Sequence, residues 1–207
     1  RTEAPSENRH AGFSQIIVDL KNDGAKVRPI RNMAGGEDFN EVVFDNVLVP
    51  KDRIVGEPGN GWQQVTSELA YERSGPERFL SSFRVFVELV RICGDHPSPH
   101  QAAAIGRIAS HFMTLRRMSL SVAGMLEAGK DVGVEAALVK ELGNNFEKVL
   151  PEIARLVVPD LSAADPERQR LFRETFEETL MLSPSFTLRG GTREILRGVI
   201  ARGLGLR

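Results

Sequence analysis

Two periodicities divide the chain. Over the first fifty or so residues, apolar positions come in short β-branched runs separated by turn signals. Residues 12–19 centre on Ile16-Ile17-Val18, Asn22-Asp23-Gly24 is a turn, Val27 to Ile30 is a second run, and Gly35-Gly36 is another turn. The clearest strand runs from Glu41 to Val49, with a bend at Asp45-Asn46 and a stop at Pro50. Strands this short and few do not make an independent sheet. From Gly59 the spacing of apolar residues changes to three and four. Phe79, Phe83, Phe86, Val87 and Val90 form one stripe. Ile105, Ile108, Phe112, Leu115, Val122 and Leu126 form a second, on a helix over Gln101 to Ala128. Leu138, Leu142, Phe146, Leu150, Ile153 and Val157 form a third, on a helix that Pro151 should bend. Asp165-Pro166 reads as an N-cap and first-turn proline, opening a helix to Leu182. Gly190-Gly191-Thr192 opens the last one, Arg193 to Arg202. The pattern predicts a mainly α chain: an antiparallel helix bundle over residues 59–207, preceded by a partial antiparallel β-domain over residues 1–58.

Composition narrows the function more than the fold. A chain of 207 residues with 41% hydrophobic content can bury a real core. Its formal net charge of -1 gives no global argument for nucleic acid or an anionic membrane as partner. No apolar run approaches the roughly 18 residues of a membrane span. The first ten residues are polar and lack the apolar core of a signal peptide. Cys93 is the single cysteine, which excludes a disulfide framework and a cysteine-based metal site. None of the four histidines forms an HxxxH or HExxH pair on a helix, since His96-Pro97-Ser98-Pro99-His100 reads as a proline-punctuated loop, so no metal is expected. The expected setting is a reducing compartment, the cytoplasm.

One stretch carries candidate chemistry. Gly61 to Pro76 reads as a helix entered from the turn Glu57-Pro58-Gly59-Asn60-Gly61, with Tyr71-Glu72-Arg73 near its end. Pro76 has no N–H, so the helical bond to the carbonyl of Glu72 cannot form. The helix should kink there, leaving that carbonyl free, and continue from Phe79 to Ile92. A carboxylate at a helix break suits proton chemistry. Read alone, Glu72-Arg73 is more simply a solvated ion pair.

Two longer stretches supply a resemblance. Glu41 to Pro50, followed by Ile54-Val55-Gly56-Glu57-Pro58-Gly59-Asn60-Gly61-Trp62, resembles the second half of the middle β-domain of acyl-CoA dehydrogenases and its exit into their C-terminal bundle. Gly190-Gly191-Thr192-Arg193-Glu194-Ile195-Leu196-Arg197, with Ile200-Ala201-Arg202, resembles the C-terminal signature of that family. The resemblance covers essentially the whole chain. It implies FAD as cofactor, an acyl-CoA substrate, and α,β-dehydrogenation: a carboxylate takes the α-proton while a hydride leaves the β-carbon for the flavin. That base should be desolvated. The commoner family position for it, just before the Gly-Thr of the signature, is Gly190 here. The alternative lies on the first bundle helix, eleven residues past the glycine of the entry turn, and falls on Glu72; members handling branched or long acyl groups resemble this arrangement. Glu77, past the proline, is the rival. The resemblance also implies that Tyr71 and Arg73 line the CoA substrate's site and that Thr192 and Glu194 touch the flavin nucleotide. As a plain helix start, Thr192 is an N-cap and Glu194 a first-turn acid.

Departures from the family pattern shape the expected assembly. The family's Arg-x-x-Phe-Gly run appears as Arg91-Ile92-Cys93-Gly94, with Arg91 out of register, and its glycine-rich stretch is missing from residues 156–170. The parts that a subunit lends to its neighbour's flavin are degraded, while a base is kept. This resembles heteromeric members, so a homo- or hetero-oligomer with a paralogous subunit is expected, with electron-transfer flavoprotein as acceptor. The chain begins in what resembles the middle of the β-domain, as a truncated product would, and its open sheet should expose an edge. A non-catalytic structural subunit and a flavin oxidase on the same scaffold stay open as alternatives.

Overall fold

The computed structural model describes residues 1–4 and 6–206, with only the backbone at Ala163. These residues form two compact units, Arg1–Leu69 and Ala70–Arg207. The boundary falls inside the first helix, α1 (Gly61–Ser74).

The first unit holds two small antiparallel sheets. β1 (Gln15–Ile16) pairs with β4 (Ile54–Val55), and β2 (Ala25–Ile30) pairs with β3 (Phe39–Phe44) in a register running from Ala25↔Phe44 to Ile30↔Phe39. β3 is shorter than its apolar pattern predicts. It ends where Asn46 takes a positive φ of 51°, a conformation that Asn tolerates and β-branched residues resist. The β2–β3 ribbon leaves Val27, Ile30, Phe39, Val42 and Phe44 exposed.

The second unit is a helix bundle. α2 (Phe83–Cys93), α3 (Pro99–Glu127), α4 (Gly133–Val157), α5 (Pro166–Leu182) and α6 (Arg193–Gly203) follow the end of α1. α4 packs on all four of the others. α3 starts two residues before the expected Gln101, because Ser98 and Gln101 form a reciprocal capping box and Pro99 takes the first helical position. Gln101 also donates to the Val157 carbonyl at 3.0 Å, tying the start of α3 to the end of α4. The α3 stripe is buried as predicted at Ile108, Phe112, Leu115 and Val122.

Three expectations are corrected. α1 does not kink and continue; it stops at Ser74, followed by extended Gly75 and a 3-10 turn, Pro76–Arg78. Proline disfavours helical backbone in the residue before it, and Gly75 leaves the helix readily. The buried face of α2 is Val85, Glu88, Leu89 and Ile92, whereas Phe83 and Val90 are exposed. On α4, Leu142 is exposed, and the buried face carries Lys140, Gly143, Asn144 and Glu147 between Ala136 and Leu150. The apolar repeat of α4 therefore points partly away from the core, and three polar residues occupy its centre.

Candidate functional site

The end of α1 and the turn before α6 meet at Gly190. This residue has φ +68°, so the turn favours glycine there. A Cβ built on it would lie 2.9 Å from Lys140 Cε, 3.0 Å from Glu72 Oε1 and 3.5 Å from Arg78 Cζ. Glu77 is not among these nearest groups. Its carboxylate stands 3.6 Å from Arg78 Nε and is half exposed. Gly190→Ala combines left-handed strain with these contacts, and should cost about 1–3 kcal/mol of stability in chemical denaturation. A loss below about 0.5 kcal/mol would show that the turn has room to spare.

Arg78 ties this site together. Its side chain is only 7% exposed. Its guanidinium pairs with the Glu72 carboxylate, and its Nε donates to the Glu72 carbonyl at 2.9 Å. The carbonyl that Pro76 deprives of its helical donor is therefore not free, as sequence pattern suggests; Arg78 occupies it. Nor is Glu72 desolvated within this chain, since its side chain is 41% exposed. Arg73 donates through Nε to the Gly190 carbonyl at 3.1 Å, and its pKa is lowered by burial, partly offset by Glu72.

A second layer lies beneath. Lys140 and Glu147 are fully buried. Glu147 accepts from the Ser81 amide at 2.6 Å and from Arg189 at 2.9 Å. Arg189 also donates to Ser81 Oγ and lies over the Phe186 ring. With the Asn144 amide turned to satisfy its neighbours, its oxygen accepts from Lys140 Nζ at 2.6 Å and its nitrogen donates to the Phe186 carbonyl at 3.1 Å. Burial raises the Glu147 carboxyl above its usual range despite the bonds from Ser81 and Arg189. Burial, together with repulsion from Arg78 and Arg189, lowers Lys140 to about 8, against attraction to Glu147 and Glu72.

The Lys140 shift has a stability consequence. Between its folded value of about 8 and the ordinary 10.5, an unfolded lysine still holds the proton that the folded one has released. Raising pH through that window therefore favours the folded chain, and the penalty of a buried ammonium is fully present below it. Denaturation of wild type and Lys140→Met at about pH 7 and about pH 9.5 should show wild type gaining on the variant at the higher pH. A constant difference would contradict the buried ammonium.

The other expected site residues lie apart from this cluster. Tyr71 is exposed and lines a cleft of about 370 Å³ with Ser74, Pro76, Ser119 and Leu126. Thr192 occupies the N-cap position of α6, but its hydroxyl makes no capping bond. Glu194 is exposed, and its carboxyl is held low by its own backbone amide and by the Thr192 hydroxyl. Arg193 and Arg197 both reach Glu141, fastening α6 to α4. Arg91 pairs with Glu88 on α2. An apolar groove of about 490 Å³ between α3 and α4, lined by Met113, Met118, Met125 and Leu138, contains none of the expected site residues. Sequence reading missed Arg78, Lys140, Asn144 and Glu147. The available signal was Gly143, which lies in the middle of α4 where only a bare Cα clears the Arg78 carbonyl.

The Glu72 carboxylate is thus held at a glycine turn by a buried arginine, on a helix bundle. No family model matches the chain. Acyl-CoA dehydrogenase IpdE1 of Mycobacterium tuberculosis is 32% identical over 215 residues, covering 100% of this chain and 54% of that protein. Its namesake in Mycolicibacterium smegmatis is 30% identical over 212 residues, covering 100% of this chain and 52% of that protein. The chain thus spans about half the length of these curated relatives. Among solved structures, the Tcur3481-Tcur3483 steroid ACAD matches with a TM-score of 0.81 at 23% identity, over 99% of this chain and 54% of that one. The ChsE4-ChsE5 complex from Mycobacterium tuberculosis matches with a TM-score of 0.74 at 23% identity, over 98% of this chain and 55% of that one. Over its whole length this chain is similar to acyl-CoA dehydrogenases, and it fits a C-terminal part of them.

Proposed function

We propose that the chain is the C-terminal portion of a flavin-dependent acyl-CoA dehydrogenase in which Glu72 takes the α-proton of the thioester. One observation carries this reading. The two places where the family resemblance puts a base, Glu72 and position 190, converge on one point in space, and glycine at 190 leaves that point to the Glu72 carboxylate. Arg73, next to Glu72 and bonded to the Gly190 carbonyl, would face the CoA thioester. Tyr71 would line the acyl side from its cleft. The acyl group would cover the exposed part of Glu72 and exclude water from it.

The residues at the start of α6 fit a flavin nucleotide. The Thr192 hydroxyl bonds the Glu194 carboxyl rather than capping the helix, so the pair would meet the nucleotide together at a helix N-terminus, which favours polar or anionic groups. Ionised, Glu194 can only accept, and would take a hydroxyl. Bound FAD would supply the hydride acceptor. Residues 1–58 would belong to the β-domain and residues 59–207 to the bundle domain. The ChsE4-ChsE5 complex and the Tcur3481-Tcur3483 steroid ACAD support a hetero-oligomer with a paralogous subunit and a bulky, ring-bearing acyl-CoA. Electron-transfer flavoprotein would reoxidise the cofactor.

The test is to purify the full-length protein alone and with a paralogous subunit, record its flavin spectrum, and add straight-chain, branched and steroid-side-chain acyl-CoA thioesters without oxygen. The reading expects flavin that bleaches with at least one of them. Flavin-free protein in every combination would overturn it in favour of a non-catalytic structural subunit.

A further inference from the structure

We propose that Arg78 is the positioning residue of this site, gripping Glu72 by its carbonyl and its carboxylate together, with buried Lys140 as the charge set behind that grip. The proposal rests on the reading of Glu72 as base. Pro76 removes the helical donor to the Glu72 carbonyl, and Arg78 Nε takes its place at 2.9 Å. The same guanidinium holds the carboxylate. One planar fork thereby fixes both ends of the Glu72 residue, which the single point charge of a lysine does not do. The anchor is itself fixed. The Arg78 carbonyl packs on Gly143 of α4, so the turn sits hard against that helix.

Lys140 lies one turn before Asn144, bonded to its amide oxygen at 2.6 Å. The charged groups that act on it are Arg78 and Glu72 from the end of α1 and its turn, Glu147 on its own helix, and Arg189 from the segment before α6. Lys140, Arg78 and Arg189, with Arg73 on the Gly190 carbonyl, therefore share two carboxylates around the Gly190 turn. Arg78 both grips Glu72 and repels Lys140, which is how the two layers communicate.

Two measurements test this. In the first, the flavin-free full-length protein is labelled with 15N-lysine and the Lys140 Nζ signal is titrated. Arg78→Gln removes one of the two repelling cations, so the titration midpoint should move up from about 8. An unmoved midpoint overturns the coupling. In the second, flavin reduction is followed in the assembled protein with octanoyl-CoA and a steroid-side-chain acyl-CoA as probes. Arg78→Gln and Arg78→Lys should both slow reduction roughly 10- to 100-fold, with substrate affinity changed less than about twofold. The isotope effect with α-deuterated thioester should rise, because a misaimed base makes proton transfer slower. A merely structural role would lower the yield of flavin-loaded protein and leave the isotope effect alone. Wild-type reduction in both Arg78 variants, beside an inactive Glu72→Gln, would sink the positioning role while the base stands. Wild-type reduction in Glu72→Gln would sink the base, and the Lys140 titration would still report on the Arg78–Lys140 coupling.

Discussion

Glu147→Ala should lower the stability of the helix bundle by about 3–5 kcal/mol, as breaking a buried ion pair does. Glu147 has no solvent exposure and is the acceptor for the Ser81 amide and for Arg189. Its charge also raises Lys140, more than that of Glu72 does. Truncation strands all three. The size of the loss comes from the stranded partners rather than from the pair itself. Burial outweighs pairing in the Glu147 titration, so the carboxyl is raised rather than lowered. A pair of that kind contributes little net stability against solvated charges, yet removing one member leaves uncompensated charge in a medium that tolerates it poorly. Two controls separate these effects. Glu147→Gln keeps an acceptor oxygen for the Ser81 amide and should cost less than Glu147→Ala. A variant with Glu147 and Arg189 both replaced by apolar residues should recover part of the loss. Urea denaturation measures all three, and a Glu147→Ala loss within about 1 kcal/mol of wild type would refute the buried cluster.

Glu72→Gln should lower turnover of the assembled enzyme by roughly 10²–10⁴-fold, the usual contribution of a positioned general base. Glutamine is nearly isosteric and can still accept from Arg78, so the local geometry should hold. The fold should be unaffected because Glu72 is a partly exposed group at a helix end rather than a core residue. Acyl-CoA affinity should change little, which places the loss in the chemical step. Glu77→Gln is the internal control. Its carboxylate is half exposed, shares Arg78 only at 3.6 Å and is not among the groups nearest Gly190, so its turnover should stay within about twofold of wild type.

The sequence made parts of this arrangement legible and hid others for physical reasons. The α3 stripe was readable because its apolar spacing and its burial coincide at Ile108, Phe112, Leu115 and Val122. The Asp165 cap was readable because its carboxylate accepts from the Glu167 and Arg168 amides, a purely local event. α4 was misread. Periodicity assigns apolar residues inward, and Leu142 points out while Lys140, Asn144 and Glu147 point in. Their burial is possible only because Ser81, Phe186 and Arg189 arrive from two other segments to satisfy them, and no window of sequence contains that information. The proximity of Glu72 to position 190, 118 residues further along the chain, came from the resemblance and not from spacing. Nothing in the residues beside Arg78 sets it apart from any other arginine after a proline. Its importance follows from a carbonyl that Pro76 leaves without a donor, which sequence does show, and from a side chain that turns back to meet it, which sequence does not.

The central claim is that the Glu72 carboxylate removes the α-proton, and exchange of that proton reports it directly. The flavin-loaded, assembled protein is incubated in D2O with an acyl-CoA that bleaches its flavin, and deuterium at the α-carbon of recovered thioester is measured by mass spectrometry. The account predicts incorporation with wild type and with Glu77→Gln, and none above the enzyme-free background with Glu72→Gln. Exchange at the wild-type rate in Glu72→Gln would contradict it.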